Sequence, residues 1–224
     1  MRNDKSLPEL LLITPEPPAD ARFDEFLERL DQALARGITL VQLRAKQLNP
    51  SRFDLLAARA AAICHQRGAR LVLNGPGGEE NSQQILAFAA SPPPAKPSKT
   101  DEEVRLEPGE IEALRDADGL HLTSEALMRV STRILHGVKL LSAACHTEQQ
   151  LAQAERIGVD FVTLSPVLPT ASHPGAPTLG WTRFGELVAR THVPVYALGG
   201  MTLAHCERAR ALGAQGIAAI SALW

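Results

Sequence analysis

The sequence predicts a closed (β/α)8 barrel, the TIM-barrel form of the α/β class, folded as a single domain. Two observations support this prediction. Short β-rich runs alternate with amphipathic helical patterns, which is typical of repeated βα units around a parallel sheet. The chain has 224 residues, which is close to the size of one such barrel. An open doubly wound sheet has the same local pattern, so periodicity alone leaves that alternative open.

Eight runs carry the strand pattern, and they fall at 10–14, 39–44, 70–74, 119–122, 139–143, 161–164, 195–198 and 216–220. The segments between them include apolar residues at helical spacing, as at 23–37, 51–68 and 147–158, where each stretch ends on a glycine. Asn49 before Pro50 and Thr147 before the fifth helix have side chains that cap helix N-termini. The alternation of strand and helix therefore runs almost from one end of the chain to the other.

Two segments interrupt this alternation. Residues 75–106 are rich in Pro, Gly, Ser and charge, and we expect a disordered insertion there with one short helix at 83–90. After the last strand only four residues remain, so the eighth helix is predicted to be absent or one turn long. We expect the apolar flank left by that helix to be covered by another segment or by a second copy of the chain in a homodimer.

Composition favours a small-molecule partner in a reducing compartment. The net charge of -2 lacks the basic excess of proteins that bind nucleic acid or acidic membranes. Cys64, Cys145 and Cys206 form no CxxC pair, which argues against a disulfide framework or a structural zinc site. The apolar run at 10–13 is too short for a signal peptide or a membrane span. We therefore expect a cytoplasmic protein that binds neither nucleic acid nor membrane.

Polar and charged residues follow the second strand. Alternation places Gln42, Arg44 and Lys46 on one side of it, and that side faces the interior at the C-terminal mouth of a barrel. A charge inside the mouth needs a partner, and the planar fork of Arg beside the point charge of Lys suits a phosphate or diphosphate. The alternative is a salt bridge to acidic loop residues. We disfavour it because no acidic residue near QLRAK stands at a position whose side chain would face the same side as Arg44 and Lys46.

Three further strand ends carry candidate binding groups. Asn74 ends the third strand and could bind a heterocycle or a phosphate oxygen, although Asn before Gly is also an ordinary turn signal. Gly199 and Gly200 follow the seventh strand, and Ser221 follows the eighth. Backbone N-H groups at these two neighbouring ends predict a phosphate cup, and a simple Gly-Gly turn is the alternative.

Several of these stretches occur together in one known superfamily. VQLRAK, LVLN, DGLHL, the Cys145-His146-Thr147 stretch, SPVLPTASHPGAP, ALGGM and AAIS stand in the order and at the strand ends seen in the thiamine phosphate synthase and TenI superfamily. The chain most resembles the version of that domain fused behind Nudix hydrolases. The resemblance covers almost the whole chain apart from the insertion. It implies a transferase of thiamine biosynthesis that joins a hydroxymethylpyrimidine diphosphate to a thiazole phosphate, with Mg2+, and releases pyrophosphate.

The resemblance also implies roles for individual residues. Those that would hold the pyrimidine diphosphate are Gln42, Arg44, Lys46 and Asn74. Those near the thiazole side are Thr170 and Ser172 in the loop after the sixth strand, with Gly200, Ile220 and Ser221 around the thiazole phosphate. The candidate catalytic residues are Arg44, Lys46 and His146. The Pro-stiffened loop at 165–181 would close on the anionic substrates and exclude water that would otherwise quench a reactive pyrimidine cation.

Four positions depart from the superfamily pattern. Two metal-binding aspartates, a serine and a lysine are replaced by Gly75, Ala126, Ala144 and His173. Mg2+ prefers carboxylate oxygens, so losing both aspartates should weaken a magnesium site. The spacing before the fourth strand puts Glu107 in the first aspartate's slot, and our hypothesis is that Glu107 with Glu125 restores the site. The alternative is that Glu107 lies on a solvated surface.

Two other functions stay open. TenI-like tautomerases need no metal and use a histidine at the position of His146, which suits proton transfer near neutral pH; the synthases commonly keep this histidine, and it could also simply pack at the barrel rim. The other alternative is a non-catalytic module that binds thiamine precursors. His121 is assigned to packing or to lining the mouth, because a lone histidine at a strand end is more often structural.

Overall fold

Eight parallel strands form a closed barrel. A computed structural model of the chain describes residues 7–18, 23–74, 115–133, 139–170 and 175–224. The strands pair in sequence order, and β1 closes the ring against β8. Their bounds are β1 Leu10–Ile13, β2 Leu40–Arg44, β3 Arg70–Asn74, β4 Gly119–Leu122, β5 Leu140–Cys145, β6 Phe161–Leu164, β7 Val195–Ala197 and β8 Gly216–Ala219. The predicted barrel is confirmed, and the open sheet is excluded.

Helices follow most of the strands on the outside of the ring. Within the described residues they are α1 Phe23–Ala35, α2 Pro50–Gln66, α3 Ser124–Arg129, α4 Glu148–Ile157, α5 Gly180–Val188 and α6 Cys206–Ala211, with a 3-10 turn at Leu203–His205. Both predicted caps are confirmed: Asn49 accepts from the Arg52 N-H, and Thr147 accepts from the Gln150 N-H. None of the described helices combines the length and the apolar character needed to cross a bilayer.

Strand alternation divides the apolar side chains into two layers. One set fills the interior of the barrel on the side away from the C-terminal mouth. There Phe161 and Tyr196 meet edge to face, with ring centroids 5.4 Å apart. The other set packs between the strands and the helices. Leu40 belongs to the interior set, so Gln42 and Arg44, two and four residues on, lie on the interior side toward the C-terminal mouth. The lower barrel is therefore apolar, and its mouth is polar.

The segment after β8 makes a single turn, as predicted. The N-H groups of Leu223 and Trp224 both donate to the Ile220 carbonyl. The Trp224 ring packs on Phe26 of α1 with centroids 4.8 Å apart, and the Arg36 guanidinium donates to the Leu223 carbonyl at 2.7 Å. These last residues cover part of the flank left by the short final turn. The homodimer stays a prediction, and the insertion at 75–106 lies outside the described residues.

Candidate active site

The ends of β2 and β3 bring three predicted binding residues together. Arg44 and Asn74 are partners in the register of these two strands. Gln42 is 3% exposed and Asn74 is 7% exposed, so both amides are buried beneath the mouth. The Asn74 carbonyl accepts from the Ala45 N-H at 3.3 Å, which carries the pairing one residue beyond the strand. The predicted inward cluster is confirmed for Gln42 and Arg44.

Arg44 already has an anionic partner, so the expectation that no acid lies nearby is wrong. The Glu16 carboxylate, in the loop after β1, accepts from Arg44 Nη1 at 2.9 Å. Its other oxygen accepts from the Gln47 N-H at 2.7 Å. This acid comes from the loop after the neighbouring strand β1. The alternation of side chains within QLRAK carries no information about that loop. One of the five N-H donors of the guanidinium is used by this carboxylate.

Lys46 lies just past the end of β2 and is exposed. Its pKa is held below the usual value, mainly by desolvation among the rim residues and then by the positive charge of Arg44, while Glu16 acts in the opposite direction. Two cations and one carboxylate thus share this part of the rim. An incoming anion would relieve the repulsion between the two cations.

His121 and Ser142 form a buried polar pair inside the barrel, on the adjacent strands β4 and β5. The His121 Nδ1 lies 2.9 Å from the Ser142 hydroxyl, and the histidine is 4% exposed. Burial, followed by the charge of Lys46, lowers the pKa of His121 to about 3. The ring is therefore neutral at physiological pH. The assignment of His121 to the lining of the barrel is confirmed.

Two buried oxygens in the barrel lack a partner among the described residues. They are Gln42 Oε1 and Thr163 Oγ1. An unpaired buried polar atom costs free energy, so both atoms favour the binding of a ligand with N-H or O-H donors. Thr163 is the register partner of Ala144, which is the position where the superfamily serine is missing.

His146 stands at the end of β5, exposed at the rim. The ring Nδ1 of His146 lies 2.8 Å from the backbone carbonyl oxygen of Ser165, and the backbone N-H of His146 donates to Gln150 Oε1 at 2.7 Å. A carbonyl oxygen only accepts, so Nδ1 carries the proton. In the neutral ring, Nε2 then has a free lone pair. These contacts hold the His146 ring in place, and within the described part of the chain no hydrogen bond involves its Nε2, which suits proton transfer.

The turn after β7 is packed too closely for side chains. Gly199 and Gly200 have φ of 96° and 66°, in the left-handed region that favours glycine. A Cβ on Gly200 would come within 2.5 Å of the Pro169 carbonyl oxygen. The Gly-Gly pair therefore lets the loop after β6 approach the turn after β7. Ser221 is exposed and follows β8, the strand adjacent to β7. Ile220 packs against the interior set.

The loop at 165–181 is fixed at its base. The Val167 N-H donates to the Leu198 carbonyl at 2.8 Å, and the Leu179 N-H donates to the Pro166 carbonyl at 2.9 Å. The two arms of the loop are thus joined to each other and to the end of β7. Thr170 is half-buried on the first arm, whereas Ser172 and His173 lie outside the described residues.

The described residues do not by themselves provide a magnesium site. Glu125 is 67% exposed along its side chain and pairs with Arg129. Ala126 is 1% exposed and packs in the outer apolar layer. In the described ranges, no three side chains of His, Cys, Asp or Glu come together as metal ligands would. Gly75 and Glu107 lie outside these ranges.

Sequence reasoning missed Glu16, Ser142 and Thr163. Glu16 follows β1 at the C-terminal mouth, and the rule that identified Arg44 and Asn74 by their strand ends would also have identified it. Ser142 and Thr163 stand inside strands that alternate with apolar neighbours, where a small hydroxyl is unremarkable. Only the closed ring shows that they share the interior with His121.

Comparison with known proteins gives a consistent result. Residues 10–77 and 109–223 match the family model described as thiamine monophosphate synthase. A relative from Geobacter sulfurreducens is 34% identical over 218 residues, covering 96% of this chain and 85% of the relative. The thiamine-phosphate synthase of Parasynechococcus marenigrum is 31% identical over 216 residues, covering 96% of this chain and 51% of the relative. This chain therefore spans about half the length of the Parasynechococcus marenigrum protein.

The barrel also resembles a solved structure. Thiamine phosphate pyrophosphorylase from Pyrococcus furiosus superposes with a TM-score of 0.63 at 19% sequence identity. The match covers 95% of this chain and 85% of the other. At this identity the likeness establishes the fold.

Proposed function

This chain belongs to the thiamine monophosphate synthase family, and we propose that it joins a hydroxymethylpyrimidine diphosphate to a thiazole phosphate and releases pyrophosphate. The observation that carries the proposal is the cluster at the ends of β2 and β3. Arg44 stands in register with Asn74, beside a buried Gln42 whose Oε1 has no hydrogen-bond partner among the described residues. Cations and amides in one place suit a ligand that combines a diphosphate with a heterocycle bearing N-H donors.

The reaction exchanges one bond for another. The thiazole nitrogen supplies the electron pair of the new C-N bond, and the bond between the pyrimidine methylene carbon and the diphosphate oxygen breaks, with its electrons leaving on pyrophosphate. Negative charge therefore grows on the diphosphate. Arg44 and Lys46 would stabilise that charge at the rim, since preorganised cations act most strongly where charge develops. The loop at 165–181 would cover the site and keep water from the carbocation-like carbon.

The second substrate would bind across the mouth. The turn at Gly199 and Gly200 and the residues Ile220 and Ser221 follow the adjacent strands β7 and β8. Phosphate groups commonly bind at this position in barrels of this type. Thr170 would contribute from the loop after β6, and Ser172 is proposed from the sequence alone.

Magnesium stays a prediction. The described residues lack the pair of carboxylates that would hold it, so the proposal assigns no step to the metal. Glu107 is the sequence candidate. Substituting Glu107→Ala and titrating Mg2+ tests this directly: an unchanged magnesium dependence removes Glu107 from the site.

A tautomerase is the second candidate, and the geometry of His146 favours it. With Nδ1 held by the Ser165 carbonyl, Nε2 could accept and return a proton without a metal. Such a reaction would need no diphosphate-binding cluster, and the presence of Arg44 and Lys46 supports the synthase first.

One incubation separates the candidates. Purified protein is mixed with both phosphorylated precursors, with and without Mg2+, and thiamine phosphate and pyrophosphate are assayed. Equal amounts of the two products support the synthase. A rearranged thiazole without pyrophosphate supports the tautomerase, and binding without turnover supports a non-catalytic module. Arg44→Met should abolish coupling, whereas Arg59→Met, which breaks only an exposed pair with Asp24 on the outer helices, should leave it unchanged.

A further inference from the structure

Glu16 is a carboxylate that contacts the proposed diphosphate cluster. Its Oε2 accepts from Arg44 Nη1 at 2.9 Å, and its Oε1 accepts from the Gln47 N-H at 2.7 Å. The side chains of Arg44 and Glu16 are 31% and 21% exposed. These contacts join the loop after β1 to the last residue of β2 and to a residue just beyond it, so Glu16 lies where a diphosphate would approach Arg44.

The neighbouring contacts give Glu16 a fixed position. The Arg44 N-H donates to the Thr14 hydroxyl at 3.0 Å, and the Thr14 N-H donates to the Gln42 carbonyl at 3.0 Å. The ends of β1 and β2 are therefore tied together by the backbone on either side of the ion pair. Glu16 needs no reorganisation to hold Arg44, because its other oxygen is anchored by a main-chain donor.

We propose that Glu16 is an internal anion that occupies Arg44 in the unliganded protein and competes with the incoming diphosphate for it. The inference rests on the proposed function, since it takes the diphosphate to be the ligand of Arg44. Together Arg44, Lys46 and Glu16 carry a net charge of about +1, and removing the carboxylate would raise it to about +2. Glu16 thus weakens anion binding at this rim and makes it depend on a ligand charged strongly enough to displace a carboxylate.

The size of the effect follows from the exposure of the pair. Partly exposed ion pairs are weak, so freeing Arg44 should tighten pyrophosphate binding by about two- to fivefold. Most of the gain should require Arg44. In an Arg44→Met background the competition no longer exists, and only the electrostatic effect of Glu16 on Lys46 remains, so the loss of Glu16 should have a smaller effect.

Calorimetric titration with inorganic pyrophosphate at fixed ionic strength tests the inference. Glu16→Gln removes the charge and keeps an oxygen for the Gln47 N-H. The matched control is Glu186→Gln, because Glu186 pairs with Arg183 at 2.9 Å on the exposed face of α5. We expect tighter binding in Glu16→Gln and unchanged binding in Glu186→Gln. In the Glu16→Gln, Arg44→Met double variant we expect a smaller gain over Arg44→Met alone. Equal or weaker binding in Glu16→Gln overturns the inference, and so does an equal gain in the double variant.

A measurement on the unsubstituted protein covers the case in which Glu16→Gln does not fold. Pyrophosphate should shift the carboxyl carbon resonance of Glu16 together with the guanidinium resonances of Arg44 as both leave their pair. A stationary Glu16 signal beside a moving Arg44 signal contradicts the competition. If pyrophosphate binds the native protein and Arg44→Met equally well, it is the proposed role of Arg44 that fails instead.

Discussion

Acidification should destabilise the fold through His121 before most carboxylates become protonated. The ordinary pKa of 6.5 falls to about 3 for His121 in the folded protein. Between these two values the unfolded chain binds a proton that the folded chain does not, so stability falls as the pH falls. Well within this interval, each unit by which the pH falls lowers the free energy of unfolding by about 1.4 kcal/mol. Over the interval from pH 7 to pH 5, the two pKa values give a loss of about 2 kcal/mol from this one side chain.

Urea unfolding of the native protein and of His121→Asn, at pH 7 and pH 5, isolates this contribution. Asparagine keeps a polar atom near the position of Nδ1 and so can still meet Ser142, which lies 2.9 Å from that nitrogen, but it does not titrate. The free energy of unfolding of the native protein should drop by about 2 kcal/mol more than that of the variant. Parallel losses in the two proteins would refute the neutral, buried histidine, as would a His121 ring resonance that titrates near pH 6.

Two further outcomes follow from the packing and the burial of particular residues. Gly216→Ala should lower the free energy of unfolding by about 3 kcal/mol, because the added Cβ would lie 1.9 Å from the Glu9 carbonyl oxygen. Gly158 has φ of 71° but no atom within 4 Å of an added Cβ, so Gly158→Ala should cost only about 1 kcal/mol. If urea unfolding shows Gly158→Ala to be the more destabilising variant, the packing argument is wrong. Burial raises the pKa of Cys64 and Cys145 to about 12. At pH 8, a thiol reagent should therefore modify only the partly buried Cys206 in the native protein, and all three thiols after unfolding. Mass spectrometry of the labelled protein measures this, and rapid labelling of native Cys64 or Cys145 would contradict their burial.

The strand ends carried most of what the sequence could predict about the site. Alternation along β2 predicted that Gln42, Arg44 and Lys46 lie on the interior side. The place of Leu40 in the interior set bears this out for Gln42 and Arg44, whereas Lys46 lies past the end of the strand and is exposed. The caps at Asn49 and Thr147 were also predictable, because a cap is a contact between residues three apart. Local rules succeed where the partners are neighbours in the chain.

The error over Arg44 has the opposite cause. Its partner Glu16 is 28 residues away, in a loop that meets β2 only because β1 and β2 are adjacent in the ring. A search for acids within QLRAK could not find it. The metal hypothesis stays a prediction, because Glu107 lies outside the described residues and Glu125 pairs along its own helix with Arg129.

By itself, the sequence determined the repeat of strand and helix, the residues at each strand's C-terminal end and the side of β2 that faces inward, because these depend on period and local geometry. Only the tertiary structure decided the charge state and partners of those residues. His121 is neutral because closure of the barrel buries it beside Ser142. Arg44 is paired because the closed barrel brings the loop after β1 against the end of β2. Burial and distance between remote segments set these properties, and neither quantity exists until the barrel is closed.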